Sequence, residues 1–161
     1  MTAVSLSDSP LFVLTQERIE EIGALAMRSK LGRARFCLHS SVEDPVQEMI
    51  IAIVRDSHFP PHCHPRKSES LHVVSGRLGL VTFEDDGAVT KRLILSAASL
   101  QTPAFYRIGP GVWHGVFALS ELVVVHEVTA GPFGPDASIT APWAPQTADE
   151  VAKYRRRAVG A

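Results

Sequence analysis

The sequence predicts an all-β fold, an antiparallel sandwich or barrel with one helix near each end. From residue 33 onward apolar and polar side chains alternate with a period of two. Such segments recur about every 8–12 residues with Gly or Pro between them. The 161 residues suit one structural domain and contain eleven Gly and eleven Pro, which favour turns and short strands. We expect an N-terminal helical arm over 1–32, a barrel over 33–130, and a Pro-rich tail with a short helix over 131–161.

The first helix is predicted over residues 15–30. Thr15 is a suitable N-cap, because its hydroxyl can accept a hydrogen bond from the first free backbone amides. Ile19, Ile22 and Ala26 then form a narrow apolar stripe at helical spacing, which predicts that one helix face packs on the barrel.

The strands follow from the period of two. The segment 47–56 is apolar on both faces, which predicts a strand that is buried from both sides. Asp-Gly within residues 84–87 is a hairpin signal. Strands are predicted over 33–39, 47–56, 70–76, 77–83, 89–95, 104–108, 112–117 and 121–128.

The second helix is predicted to begin at Thr147. Glu150 follows three residues later, which is the spacing of a capping box, and three arginines lie near the C-terminal end, where they complement the helix dipole.

The composition excludes several classes of partner. Sixteen basic and seventeen acidic residues give a net charge of −1, so the basic excess typical of a nucleic-acid binder is missing. No apolar run reaches the roughly 18 residues of a membrane helix, and residues 1–15 do not read as a secretory signal. Two cysteines are too few for a disulfide framework. We therefore expect a cytoplasmic protein that binds neither nucleic acid nor a membrane.

Four residues have the types and spacing of a metal site. His62 and His64 are two residues apart, so both imidazoles point to one face of a strand. Glu69 follows after a segment long enough to turn back toward them, and His114 comes 45 residues later. Three imidazoles and one carboxylate suit one divalent ion, and the residues leave open whether it is Zn, Fe, Mn or Ni. Four protein ligands leave an open position on a five- or six-coordinate ion for substrate or water.

These residues resemble a known superfamily. His62 to Gly76 has the pattern HxHx4Ex6G and resembles the first cupin motif, while Gly111 and His114 resemble the GxxH of the second. The resemblance implies a cupin double-stranded β-helix barrel, an antiparallel jelly roll, with a metal inside. Over roughly residues 30–145 the chain is similar to the cupin-fold metalloprotein WbuC family, through segments such as RARFCLH, PHCHPRKSES and GVWH. That family is associated with polysaccharide gene clusters, and the likeness also implies a homodimer.

Five further residues are candidates for substrate binding. Arg35 and His39 share one face of the strand over 33–39, which is either a solvated edge or a polar rim beside the metal. Lys67 lies between His64 and Glu69 in the sequence and is either a solvated lysine or a point charge for the substrate. Gln47 and Tyr106 are either ligands for a substrate or structural residues.

His126 and Glu127 are the candidate catalytic residues. They point to opposite faces of the last strand, so one of them should face the barrel interior and move a proton there. With a metal that polarises a carbonyl, this predicts an isomerase or epimerase acting on a small polar molecule such as a sugar or sugar derivative. An Fe(II)-dependent dioxygenase and a non-catalytic, metal-anchored module for binding small ligands remain alternatives.

Overall fold

Two β-sheets face each other and enclose an apolar interior in the computed structural model, which describes residues 2–5, 10–99 and 101–159. The first sheet has the strand order β1-β2-β3-β10-β5-β8 and the second the order β11-β4-β9-β6-β7. All pairings are antiparallel except the parallel pair β1–β2. This architecture is the cupin barrel that the sequence predicts. The strands are β1 (Thr2–Ser5), β2 (Arg33–Cys37), β3 (Val46–Val54), β4 (His62–Cys63), β5 (Glu69–Ser75), β6 (Arg77–Phe83), β7 (Val89–Ser96), β8 (Phe105–Ile108), β9 (Trp113–Ala118), β10 (Leu122–Ala130) and β11 (Ile139–Thr140).

The barrel interior is filled by the inward faces of both sheets. On β3, Met49, Ile51 and Ile53 point inward, whereas Ile50 and Ala52 point outward beneath a helix. Both sets are buried, which confirms the prediction that this strand is covered on both sides. The predicted strands all form, and their ends lie within two residues of the expected ones.

The first helix, α1 (Gln16–Arg28), covers the outer face of the six-stranded sheet. The Thr15 hydroxyl accepts a hydrogen bond from the amide of Arg18 at 3.3 Å, as expected of an N-cap. Ile22 and Ala26 are fully buried and belong to the cluster that includes Phe36 of β2. The predicted apolar stripe therefore attaches the helix to the barrel.

The second helix, α2 (Ala148–Val159), packs on the five-stranded sheet. Its capping box is formed: the Thr147 amide donates to the Glu150 carboxylate at 3.0 Å, and the Glu150 amide donates to the Thr147 hydroxyl at 3.3 Å. Within the described residues, neither helix is long and apolar enough to cross a membrane.

Three short strands are absent from the predicted set: β4, for which only the shared direction of His62 and His64 was expected, and one strand near each end of the chain. β1 lies in the N-terminal arm, where the pattern indicated only a helix, and pairs with β2. β11 lies in the Pro-rich tail and pairs with β4, so the tail crosses the barrel mouth beside the candidate metal ligands. A single 3₁₀ turn, Pro135–Ala137, precedes it.

Candidate metal centre

Four side chains converge inside one end of the barrel. His62 and His64 come from β4 and the residue after it, Glu69 begins β5, and His114 lies on β9. His62 and His114 are direct cross-strand partners, so their rings lie 4.4 Å apart between centroids. One nitrogen or oxygen of each of the four residues lies within 4.8 Å of the others. Three of the side chains are buried and that of His62 is partly buried.

Backbone carbonyls fix the orientation of all three imidazoles. A carbonyl oxygen only accepts, so each facing Nδ1 carries a proton, and in the neutral form of each ring Nε2 presents a lone pair to the cluster. Metal-ligating histidines use this outer hydrogen bond to hold tautomer and ring plane. The Nδ1–oxygen distances are 3.0 Å from His62 to Pro60, 2.7 Å from His64 to Ala137 and 2.9 Å from His114 to Val112.

The inward atoms suit a cation between them. His64 Nε2 lies 3.0 Å from Glu69 Oε2, yet both atoms are acceptors when Nδ1 of His64 holds the ring proton. His114 Nε2 is buried, lies 3.8 Å from the same oxygen, and has no hydrogen-bond partner among the described residues. A divalent ion satisfies all of these atoms at once, so the donor set fits a metal site.

Glu69 is held ionised by its neighbours. Burial alone would raise the pKa of Glu69, but protons carried by the imidazoles of His114 and His64 when no ion is bound, together with the hydroxyl of Tyr106, hold it well below its ordinary value. The Tyr106 hydroxyl donates to Glu69 Oε1 at 2.6 Å, which leaves Oε2 toward the histidines. Burial, and then the neighbouring His114, lower the pKa of His62 to about 4, so its imidazole is neutral at pH 7.

The cluster opens into a cavity of about 330 Å³ between the two sheets. Its floor is apolar and includes Met49, Ile51 and Val116, which belong to the barrel core. The cavity brings four of the other predicted site residues together with the candidate metal ligands, namely Arg35, Lys67, Tyr106 and Glu127. The face of β2 that carries Arg35 is therefore an interior face and not a solvated edge.

Glu127, and not His126, faces the interior. Glu127 lies across from Met49 and Leu71 in the sheet register and lines the cavity. Burial first, and then the negative charge of Glu69, raise the pKa of Glu127 to about 8. His126 points to the outer face and does not line the cavity; its Nε2 lies 2.8 Å from Glu48 Oε1. One of these two residues was predicted to face the interior, and Glu127 is that residue.

His39 and Gln47 do not reach the cavity either. His39 lies beyond the end of β2, and its Nδ1 contacts the backbone of Glu48 at 3.0 Å. Gln47 is buried, and its amide nitrogen donates to the carbonyls of the preceding loop, at 2.9 Å for Ser41. Both side chains bond to backbone groups and lie outside the cavity lining.

Several residues that line the cavity were not predicted from the sequence. Arg33 lies two residues before Arg35 on the same strand face, so the period of two was a usable signal for it. The tail residues had no such signal, because their role depends on how the tail folds back over the mouth. The unpredicted polar and aromatic residues of the lining are Arg33, Phe59, Thr129, Phe133, Ser138 and Thr140.

Comparisons with known proteins agree with this fold. Residues 14–95 match the profile of a family described as "Domain of unknown function (DUF6016)". No curated protein matches the chain. An oxalate oxidase in complex with the substrate analogue glycolate is 14% identical, with 84% of this chain and 69% of that chain covered and a TM-score of 0.54. A recombinant oxalate oxidase in complex with glycolate is 15% identical over 72% of this chain and 58% of that one, with a TM-score of 0.53.

A third solved structure is the capsular polysaccharide assembling protein CapF from Staphylococcus aureus. It is 18% identical, with 67% of this chain and 31% of that chain covered and a TM-score of 0.55. The chain spans only 23 to 58% of the length of the first solved chains it matches. At these identities the likeness shows the cupin fold alone, and no activity follows from it.

Proposed function

We infer a function from the site itself, because the chain belongs to the family described as a domain of unknown function (DUF6016), which supplies no activity. We propose a mononuclear metal-dependent cupin enzyme that moves a proton on a small polar molecule such as a sugar or sugar derivative, as an isomerase or epimerase does. The resemblance of the sequence to the cupin-fold metalloprotein WbuC family, associated with polysaccharide gene clusters, supports a sugar-derived substrate.

One observation carries the proposal: a titratable carboxyl, Glu127, shares a small cavity with the candidate metal ligands. In the metal-free protein the pKa of Glu127 is raised to about 8, so its carboxyl can both donate and take back a proton near neutral pH. A bound divalent ion would supply Lewis acidity to a carbonyl or hydroxyl oxygen of the substrate.

The side chains of the site would have separate roles. His62, His64, Glu69 and His114 would hold the ion, and Tyr106 orients the Glu69 carboxylate through the hydrogen bond at Oε1. The apolar floor lowers the local dielectric around a bound molecule, which would strengthen its electrostatic interactions with Glu127.

Metal analysis is the first test. Protein purified without added metal or a histidine tag should hold close to one equivalent of a divalent ion. His62→Ala should lose it, whereas His72→Ala, an exposed histidine on β5, serves as the matched control and should keep it. Turnover of a panel of sugars should then depend on the metal and fall in Glu127→Gln with the metal content unchanged. Equal turnover with and without metal would contradict the proposal.

An Fe(II)-dependent dioxygenase is the second candidate, because three imidazoles and one carboxylate also suit iron. It predicts oxygen consumption only with iron bound, and loss of that activity on substitution by redox-inert zinc. A non-catalytic binding module predicts saturable ligand binding with no chemical change in the ligand. We also propose a homodimer, which light scattering on the purified protein tests.

A further inference from the structure

Three cationic side chains in the cavity wall have nitrogens without a partner. Arg33 Nε, Arg35 Nε and Lys67 Nζ are each buried and make no hydrogen bond to any described residue. None of the ion pairs formed among the described residues includes them. The three residues as a whole are only partly buried, but a polar nitrogen shielded from water without an acceptor is costly, and an anion that enters the cavity would supply that acceptor.

The contacts that these side chains do make leave their charge unneutralised. Arg33 donates from Nη1 to the carbonyl of His58 at 2.7 Å and lies 4.1 Å over the ring of Phe59. Lys67 Nζ lies 5.1 Å from the ring centre of Phe133.

Arg35 has no strong acceptor among the described residues. Its Nη1 approaches only the thioether of Met49, at 3.8 Å, and a thioether is a weak acceptor. The planar guanidinium of Arg35 therefore remains free to receive a carboxylate or phosphate on two parallel N–H groups.

The carboxylates in the cavity do not cancel these charges. Both carboxylate oxygens of Glu69 already have partners, because Oε2 lies beside His64 and Oε1 accepts a hydrogen bond from Tyr106. Glu127 lies close enough for Lys67 and Arg35 to lower its pKa, yet burial and Glu69 outweigh them. A divalent ion adds further positive charge, so the loaded cavity attracts anions.

The topology separates two ends of the cavity. In the six-stranded sheet, β2 with Arg35 lies two strands from β10 with Glu127 and three strands from β5 with Glu69. At about 4.8 Å between neighbouring strands, β2 is roughly 14 Å from β5 along the sheet. Along the sheet Glu127 therefore lies between Arg35 and Glu69, whereas Lys67 lies on the segment that leads into β5, two residues before Glu69. The positive charges of Arg35 and Lys67 both act on Glu127, so both side chains face the middle of the cavity.

We propose that the cavity takes a small organic anion whose carboxylate or phosphate binds Arg35 and Lys67, with Arg33 adding positive charge. An oxygen at the other end of the same molecule faces the candidate metal ligands. This assignment deepens the proposed function. Only the position of the second ligand oxygen, opposite the candidate metal ligands, rests on that proposed function. The volume of about 330 Å³ lies near the lower end of ordinary small-molecule sites and suits a molecule of monosaccharide size.

Three sugars of similar size test the charge requirement: glucose, glucuronate and glucose 6-phosphate. Their binding to the metal-loaded protein is measured by calorimetry at constant ionic strength. We expect glucuronate, glucose 6-phosphate or both to bind at least about tenfold more tightly than glucose. Preference for glucuronate identifies a carboxylate ligand, and preference for glucose 6-phosphate identifies a phosphate ligand.

Substitutions of single cations test which side chains bind the anion. Arg35→Gln and Lys67→Met should each remove most of the preference for the anion. Arg66→Gln should keep it, because Arg66 is an exposed cation of the same loop that does not line the cavity. Thermal melting identifies variants that fail to fold, and Lys67→Met is expected to melt no lower than wild type without ligand, since it removes an unpaired buried nitrogen. Equal binding of all three sugars, no binding of any of them, or unchanged preference in both folded variants overturns the proposal.

Metal content, measured on the same samples, separates this inference from the proposed function. Anion binding that depends on Arg35 and Lys67 in a protein that takes up no metal supports the inference and defeats the proposed function. A metal-loaded protein that shows no preference for anions overturns the inference and leaves the metal site standing.

Discussion

Replacing Tyr106 by Phe isolates the contribution of one hydrogen bond to the candidate metal centre. The Tyr106 hydroxyl donates to Glu69 Oε1 at 2.6 Å, and both side chains are buried. The substitution removes one oxygen atom and keeps the ring that packs in the barrel core. We expect weaker metal binding with the fold intact, because Glu69 loses a donor that stabilises its ionised form.

The magnitude follows from the charge on the acceptor. A hydrogen bond to a charged group contributes about 1.5–3 kcal/mol. Since each 1.4 kcal/mol is about a tenfold change in affinity, Tyr106→Phe should weaken metal binding by about 10- to 100-fold, as outer hydrogen bonds to metal ligands commonly do. The loss should grow as the pH falls, because Glu69 without this donor has a higher pKa and protons compete more strongly for it.

Competition with a chromogenic chelator measures the affinity. The chain offers a matched control in Tyr154→Phe: the Tyr154 hydroxyl is buried, has no hydrogen-bond partner among the described residues, and lies outside the cavity lining. The control should bind metal as wild type does. Wild-type affinity in Tyr106→Phe, or an equal loss in Tyr154→Phe, would refute the assignment of this bond to metal binding.

Three more predictions concern stability, each measured by urea denaturation. Folding raises the pKa of the Glu127 carboxyl from 4.5 to about 8. Its contribution to stability is therefore fully present below pH 4.5 and is lost as the pH rises through about 8. Between these two pH values the free energy of unfolding of the metal-free wild type should fall by up to about 1.4 kcal/mol per pH unit relative to that of Glu127→Gln. Parallel pH profiles of the free energy of unfolding in the two proteins would contradict this. Gly76→Ala should cost at least about 2 kcal/mol, because φ is +84° and the new methyl group collides with the Leu122 carbonyl, whereas Gly109→Ala, in open space, should be near neutral. Thr147→Ala should cost about 1 kcal/mol through loss of the α2 capping box, and an unchanged midpoint would exclude that role.

Local patterns sufficed for the barrel and for the metal ligands. Alternation with a period of two is set by which side of a strand meets the interior, so each strand could be placed within two residues of its observed ends. The spacing of His62 and His64 put both imidazoles on one side, and cross-strand pairing then placed His114 beside His62. These positions depend on neighbours in sequence or on one strand pairing.

The remaining features depend on contacts between distant segments. Alternation established that His126 and Glu127 face opposite ways, but only the packing of α1 on the outside of the six-stranded sheet shows which face is the interior. The bond from His64 to the Ala137 carbonyl spans 73 residues and depends on β11 pairing with β4. No window of sequence contains that information.

The unsatisfied groups of the cavity point to its use as a ligand site. Near β4 and β5 acceptors crowd together, with Glu69 Oε2 3.0 Å from His64 Nε2, and they need a cation. At β2 the Nε of Arg35 is buried without an acceptor and needs an anion. Arg35 and Glu69 form no ion pair with each other, and strands β3 and β10 lie between their strands in the sheet. Replacing buried charges by well-packed apolar residues is often neutral or stabilising, so stability alone does not account for them. A cavity that presents acceptors at one end and cationic donors at the other is matched by a metal ion together with an anionic molecule that reaches it.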